Sequence, residues 1–123
     1  MNIALWIAAG LLAAAFLVAG LLKLVTPHAK LEQRMGWVSD FTQNQVRGIG
    51  TLEVLGAIGV IVPGITKIAP VLVPIAATGL ALLMIGASLT HIRRKEYNQL
   101  ATNVVLFALA VFVAWGRFGP YPL

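Results

Sequence analysis

Cysteine is absent from the 123 residues, so the chain itself can supply no disulfide, no thiolate nucleophile and no CxxC redox pair. Charge is also scarce. Charged residues make up 11% of the sequence, against about a quarter in a typical soluble domain. Hydrophobic residues make up 59%, more than water alone would solvate on the surface of so small a domain. Histidine is limited to His28 and His91, without the spacing of a metal site or of paired haem ligands, so no metal is expected and haem is disfavoured. No glycine pattern cradles a phosphate after a strand. Internal repeats, low-complexity tracts and lipidation motifs are missing as well.

What remains is four long apolar runs. A hydrocarbon core about 30 Å thick needs about 20 apolar residues in a helix. The runs at residues 3–25, 46–62, 68–90 and 100–115 meet that need as a set within one domain, 1–123. Thr26-Pro27 closes the first run and Pro63-Gly64 the second. Thr42-x-x-Gln45 reads as a capping box, which allows the second helix an earlier start. Pro70 and Pro74 fall in the first turns of the third, where a missing N–H costs least. Continuous apolar runs are the wrong pattern for a membrane β-barrel, whose strands alternate. The N-terminal run lacks a basic leader and is uncharged from Met1 to Leu22, longer than a signal peptide's core, so a retained helix is expected. The expected fold is all-α: a transmembrane four-helix up-down bundle, with a long first loop carrying a short interfacial helix near 27–35 and Trp37 and Phe41 as aromatic anchors. Gly48, Gly50, Gly56, Gly59, Gly79 and Gly86 read as helix-packing positions.

The net charge of +5 comes from basic residues at the ends of the apolar runs, where they meet lipid phosphates. They form no stripe with interleaved aromatics, so nucleic acid is not an expected partner; the lipid bilayer is. An up-down chain puts Lys23, Lys30, Arg34, Arg47, Arg93, Arg94 and Lys95 on one side and only Lys67 and Arg117 on the other. The positive-inside rule then makes loops 26–45 and 92–99 cytoplasmic, with both termini outside the cell membrane.

The same topology gathers polar residues. Lys23, Arg47, Glu53, His91 and Asn103 all fall in the basic half of the bundle. Glu53 lies roughly 10 Å into its run at 1.5 Å per residue. An ionised group there costs about 2.5–3.5 kcal/mol on insertion scales, so it must turn inward and find a partner. Lys23 is the natural one. The pair is either a structural link between helices or part of a ligand, quinone or proton site. His91 is either a marker of the membrane boundary or a proton carrier and hydrogen-bond donor. Asn103 is expected to hydrogen-bond between helices, and Ser88 and Thr90 to bond carbonyls of their own helix.

Three segments, Ala-Gly-Leu-Leu-Lys-Leu at 19–24, Met-Gly-Trp-Val at 35–38 and Gly-x-x-Glu-Val-Leu-Gly-Ala-Ile-Gly at 50–59, together with His91, Asn103 and Arg-Phe-Gly-Pro-Tyr at 117–121, resemble the DoxX family, particularly its short members. The resemblance spans nearly the whole chain and implies a four-helix membrane bundle. It also implies an accessory subunit linked to membrane redox or quinone metabolism, at most one subunit of a membrane oxidoreductase. Lys23 and Glu53 match recurrent polar positions, with no catalytic role attached to them. The chain departs from longer members, which end in a Gly-Pro-Gly segment and an acidic residue. Other relatives imply an alternative, a non-catalytic assembly factor or chaperone that binds partner transmembrane helices, for which Ala15-x-x-x-Ala19 offers a small-residue stripe; besides the bilayer, the candidate partners are a membrane protein or a second copy in a homo-oligomer. A small transporter is a further alternative, though no broken-helix pair supports it.

The missing cysteines make the orientation directly measurable. Single substitutions Thr66→Cys and Pro122→Cys are expected to react with a membrane-impermeant maleimide in intact cells. Gln43→Cys and Asn98→Cys are expected to react only after the membrane is opened. The reverse pattern would overturn the orientation.

Overall fold

The computed structural model describes residues 1–34, 36 and 41–123, without the side chains of Glu32 and Arg34. Helix α1 spans Asn2–Val25. It stops at Thr26, which is extended (φ −90°, ψ 133°), as expected for a residue whose α conformation is crowded by the following proline. Pro27 accepts from the amides of Lys30 and Leu31 and so opens a second helix, α2, over His28–Arg34. Leu31 of α2 is buried against Val46, with Phe41 packed beside them. His28 Nε2 lies 2.9 Å from the Phe41 carbonyl.

The expected long first loop is therefore not borne out. Much of that stretch is helix, because one leucine finds an apolar seat on the end of the bundle and the preceding proline presets the first turn. The expected anchor Trp37 lies outside the described residues.

Helix α3 spans Gln43–Gly59 and begins with the expected capping box: Thr42 Oγ1 accepts from the Gln45 amide at 3.1 Å, and Gln45 Oε1 accepts from the Thr42 amide at 2.9 Å. Pro63-Gly64 was expected to close this span, but the break comes earlier, at Val60-Ile61, and a short helix α4 follows over Val62–Thr66. The offset follows from proline's geometry, since its ring clashes with the carbonyl four residues back, which here is Gly59. Together Gln43–Thr66 is long and apolar enough for one span. Lys67 (φ 60°) and Ala69 (φ 48°) turn the chain into α5, Leu72–Arg93. Pro70 precedes that helix and Pro74 sits in its first turn. Helix α6 spans Tyr97–Phe118.

Around the bundle, α1 packs on α3 and α6, and α5 packs on α3 and α6. The order α1, α3, α5, α6 forms a closed ring, the up-down bundle expected, and no strand is present among the described residues. Core residues such as Leu12, Phe16, Val60, Ala77, Leu80 and Val113 pack together between the helices. Large side chains such as Ile3, Leu11, Leu55, Leu82 and Val104 point outward, the arrangement of a bundle solvated by lipid.

Glycine sets the closest helix contacts. A Cβ at Gly20 would lie 2.7 Å from the Gly50 carbonyl oxygen, and one at Gly50 would lie 2.8 Å from that of Gly20. Gly56 meets Leu80 and Gly59 meets Ala76 where α3 crosses α5, while Gly116 receives Leu5 between α6 and α1. Three of the expected packing glycines, Gly50, Gly56 and Gly59, thus pack as read. Gly48, Gly79 and Gly86 face open space, with nothing within 4 Å of an added Cβ.

This contrast is testable two residues apart. Gly50→Ala forces backbone apart and is expected to lower stability by about 1–3 kcal/mol in detergent unfolding followed by helicity. Gly48→Ala is expected to stay within about 0.5 kcal/mol of the parent protein.

Candidate functional site

The Gly20–Gly50 crossing fixes what lies one turn further along each helix. Residues three apart share a helix face. Lys23 therefore follows Gly20 into the interface from α1, and Glu53 follows Gly50 from α3. Their side chains meet at 2.7 Å, Nζ to Oε1, with the residues only 7% and 4% exposed. The contact is a close ion pair, and the carboxylate has lone pairs beyond the one that faces Lys23. Away from water, the carboxylate is tolerable because the ammonium lies against it.

His91 occupies the last full turn of α5 and is buried. The helix ends in a Schellman motif: the Lys95 amide donates to the Ile92 carbonyl at 3.1 Å and the Glu96 amide to the His91 carbonyl at 2.8 Å. Lys95 takes the left-handed conformation (φ 59°) that glycine usually fills there. The turn folds Glu96 back, placing its Oε1 3.1 Å from His91 Nδ1 and 3.3 Å from Arg94 Nε. Gly36 lies against the Arg94 guanidinium and the Glu96 carboxylate. A second acid–base group thus stands at the basic end of the bundle. Glu96 was not among the residues singled out from the sequence, since its approach depends on a left-handed lysine that no local signal marks.

Lys23, Glu53, His91 and Asn103, one from each long helix, line a single cavity of about 1010 Å³. Its remaining walls are mostly apolar, among them Phe16, Leu80, Met84 and Leu106. Asn103 was expected to hydrogen-bond between helices. Instead its Nδ2 is buried with no hydrogen-bond partner among the described residues. An amide left so costs about 1–3 kcal/mol, so this donor is available to a group inside the cavity. The fifth expected residue, Arg47, is exposed and stands off the cavity, because it lies outside the α3 face that carries Val46, Gly50, Glu53 and Ala57. Thr90 lines the cavity while donating to the Gly86 carbonyl at 3.1 Å, as expected for a helix threonine. Phe41, Gln99 and Thr102 complete the rim, and nothing in their sequence spacing announces it.

Ala15 and Ala19 also line this cavity, half-buried. The stripe read as a contact for a partner helix thus borders the cavity on the α1 side. No cluster of three or more metal-ligating side chains occurs among the described residues.

A separate polar cluster closes the opposite end. Arg117, expected only to flank the membrane, is buried. Its Nη1 donates to Asn2 Oδ1 at 2.6 Å and to the Tyr121 carbonyl at 3.1 Å, and its guanidinium lies 5.6 Å from the centre of the Trp6 ring. These contacts pin α6 and the C-terminal segment to the start of α1.

Residues 7–113 match the model of the DoxX-like family. With most of the chain matched, this protein belongs to that family and is a multi-pass membrane protein. No curated protein and no solved structure matches the chain.

The ion pair predicts an unusual double-variant result. Lys23→Met leaves Glu53 buried beside an apolar side chain and is expected to cost about 3–5 kcal/mol in detergent unfolding. Lys23→Met combined with Glu53→Leu is expected to recover most of that loss. Equal losses in the single and double variants would mean that the two charges are not coupled.

Proposed function

We propose that this member of the DoxX-like family binds a lipid-soluble quinone in the four-helix cavity and serves as an accessory subunit of a membrane redox assembly. One observation carries the proposal: an apolar cavity of about 1010 Å³ whose polar groups are gathered at one end. Small-molecule sites are commonly about 300–1,000 Å³, apolar, with a few placed polar groups that fix orientation. A quinone has the matching division, a head with two carbonyls on a hydrocarbon tail.

The buried polar atoms fit such a head. Asn103 Nδ2 is a donor without a partner among the described residues, suited to a carbonyl oxygen. Lys23 Nζ offers a charged donor nearby on α1, and Glu53 Oε1 accepts from a hydroxyl. A bound quinone would supply two-electron, two-proton chemistry. The protein's part is to hold the head, exclude water from it and keep a carboxylate and an imidazole facing the same space. His91 has one ring nitrogen beside Glu96, a partly exposed carboxylate at the basic end, so a proton taken up there has a hydrogen-bonded way towards the cavity. The accessory role rests on the family resemblance. The alternative role, a membrane assembly factor, rests on other relatives of the family, and its alanine stripe borders the same cavity.

Protein purified in mild detergent and extracted into organic solvent is expected to yield a quinone by mass spectrometry at close to one per chain. Glu53→Gln should keep its helicity yet retain less than a tenth of that amount. Full quinone retention by this variant would count against the proposal, and a stoichiometric partner protein without any quinone would favour the assembly factor.

A further inference from the structure

We infer that the ligand enters sideways from the bilayer, between α3 and α5, and leaves its hydrocarbon tail in that opening, so that the site selects a single-headed lipid with a long tail. The inference deepens the proposed quinone site and rests on it.

Helices α3 and α5 touch closely near the terminal end, at Gly59–Ala76 and Gly56–Leu80. Toward the basic end the cavity lies between them, faced by Ile49, Leu52 and Glu53 on α3 and by Leu83, Ala87 and Thr90 on α5. The same cavity reaches the outer surface. Leu52, Leu55 and Leu82 all line it, yet are 55%, 59% and 63% exposed. Glu53 lines it at 4%. One continuous space therefore runs from a buried ion pair to side chains that face lipid.

Gly79 and Gly86 border that opening on α5, and a Cβ on either would meet nothing within 4 Å. Side chains there would occupy the passage rather than pack against a neighbour. The α1–α6 side of the cavity differs. Its walls are half-buried Ala15, Ala19 and Gln99 with exposed Thr102, and no large exposed hydrophobic residue joins them.

The energetics favour the sideways route for a long-tailed ligand. A tail that stays between α3 and α5 never leaves hydrocarbon, whereas carrying it through water would cost about 0.8 kcal/mol per CH₂. Only the head changes surroundings. It gives up interfacial water and meets the buried Asn103 amide, a donor for a quinone carbonyl, while the Glu53 carboxylate would accept from a hydroxyl of the reduced head.

The test compares one quinone head group with and without its prenyl tail, using the intact protein in lipid nanodiscs. Gly79→Phe and Gly86→Phe fill the passage, and Gly48→Phe adds the same ring to an exposed α3 glycine that does not line the cavity. Val105→Phe adds it to an exposed α6 residue that does not line the cavity either. Binding of the radiolabelled prenyl quinone is expected to fall at least tenfold in Gly79→Phe or Gly86→Phe and to stay within twofold in Gly48→Phe and Val105→Phe. The tail-less quinone, measured by equilibrium dialysis, is expected to bind all four variants within threefold of the parent protein. Normal binding of the prenyl quinone by both passage variants would overturn the inference while leaving the head site standing. So would a comparable loss in Gly48→Phe or Val105→Phe. If the parent protein binds neither form, the quinone site and the sideways entry fail together.

Discussion

A carboxylate held in hydrocarbon is the constraint around which the rest of this bundle is arranged. Glu53 is 4% exposed in a span otherwise free of acid, and Lys23 lies 2.7 Å away. That approach requires the α1 and α3 backbones to come into contact one turn earlier, and Gly20 and Gly50 are the residues that permit it. Any larger side chain at either position would separate the helices and draw Lys23 away from the buried carboxylate. Sequence, helix crossing and electrostatics are thus linked in one local unit: glycine, two spacer residues, then charge, on each of two neighbouring helices.

The cavity beside that unit persists because both ends of the bundle are tied. At the terminal end, buried Arg117 joins α6 to Asn2 and Trp6 of α1, and Leu5 packs into Gly116. At the basic end, α2 seats Leu31 on Val46, and the Schellman turn holds Glu96 against His91. Between these ties, α5 presents Ala76, Gly79, Gly86 and Ala87 to the interior or to the opening. Side chains this small do not fill the space between helices spaced by their larger neighbours. A stripe of that kind can allow close packing, as at Gly56 and Gly59, or can leave a hollow, as at Gly79 and Gly86. The outcome depends on what the facing helix offers, leucine and alanine in one case and nothing in the other.

That dependence explains what was legible in the sequence. The four spans follow from run length and hydropathy, and the capping box at Thr42 follows from residue types alone. The convergence of Lys23, Glu53, His91 and Asn103 followed from topology, because an up-down chain puts alternate helix ends together. Features that depend on partner geometry stayed hidden. Arg47 shares the basic end with Glu53 but lies off its helix face. Glycines of one appearance divide into packed and open. Glu96 reaches His91 only through a lysine in a left-handed turn. Arg117 looked like a flank at the membrane edge, yet the groups that bury it come from the far end of the chain.

Stability alone is a poor reason for the ion pair. Replacing a buried pair by well-packed hydrophobic residues is often neutral or stabilising by about 1–4 kcal/mol. Two helices that already cross at Gly20 and Gly50 would hold as well with leucine and alanine one turn on. A structural pair would also sit best in a filled interior, where nothing competes for its oxygens. Here Glu53 borders a large cavity, and the Asn103 amide, without a hydrogen-bond partner among the described residues, lines the same walls. The charged pair and the buried amide fall in the same small volume, at the end of the bundle where the helices leave space. That coincidence supports the proposed site, since a packing defect would be cheaper lined with hydrocarbon.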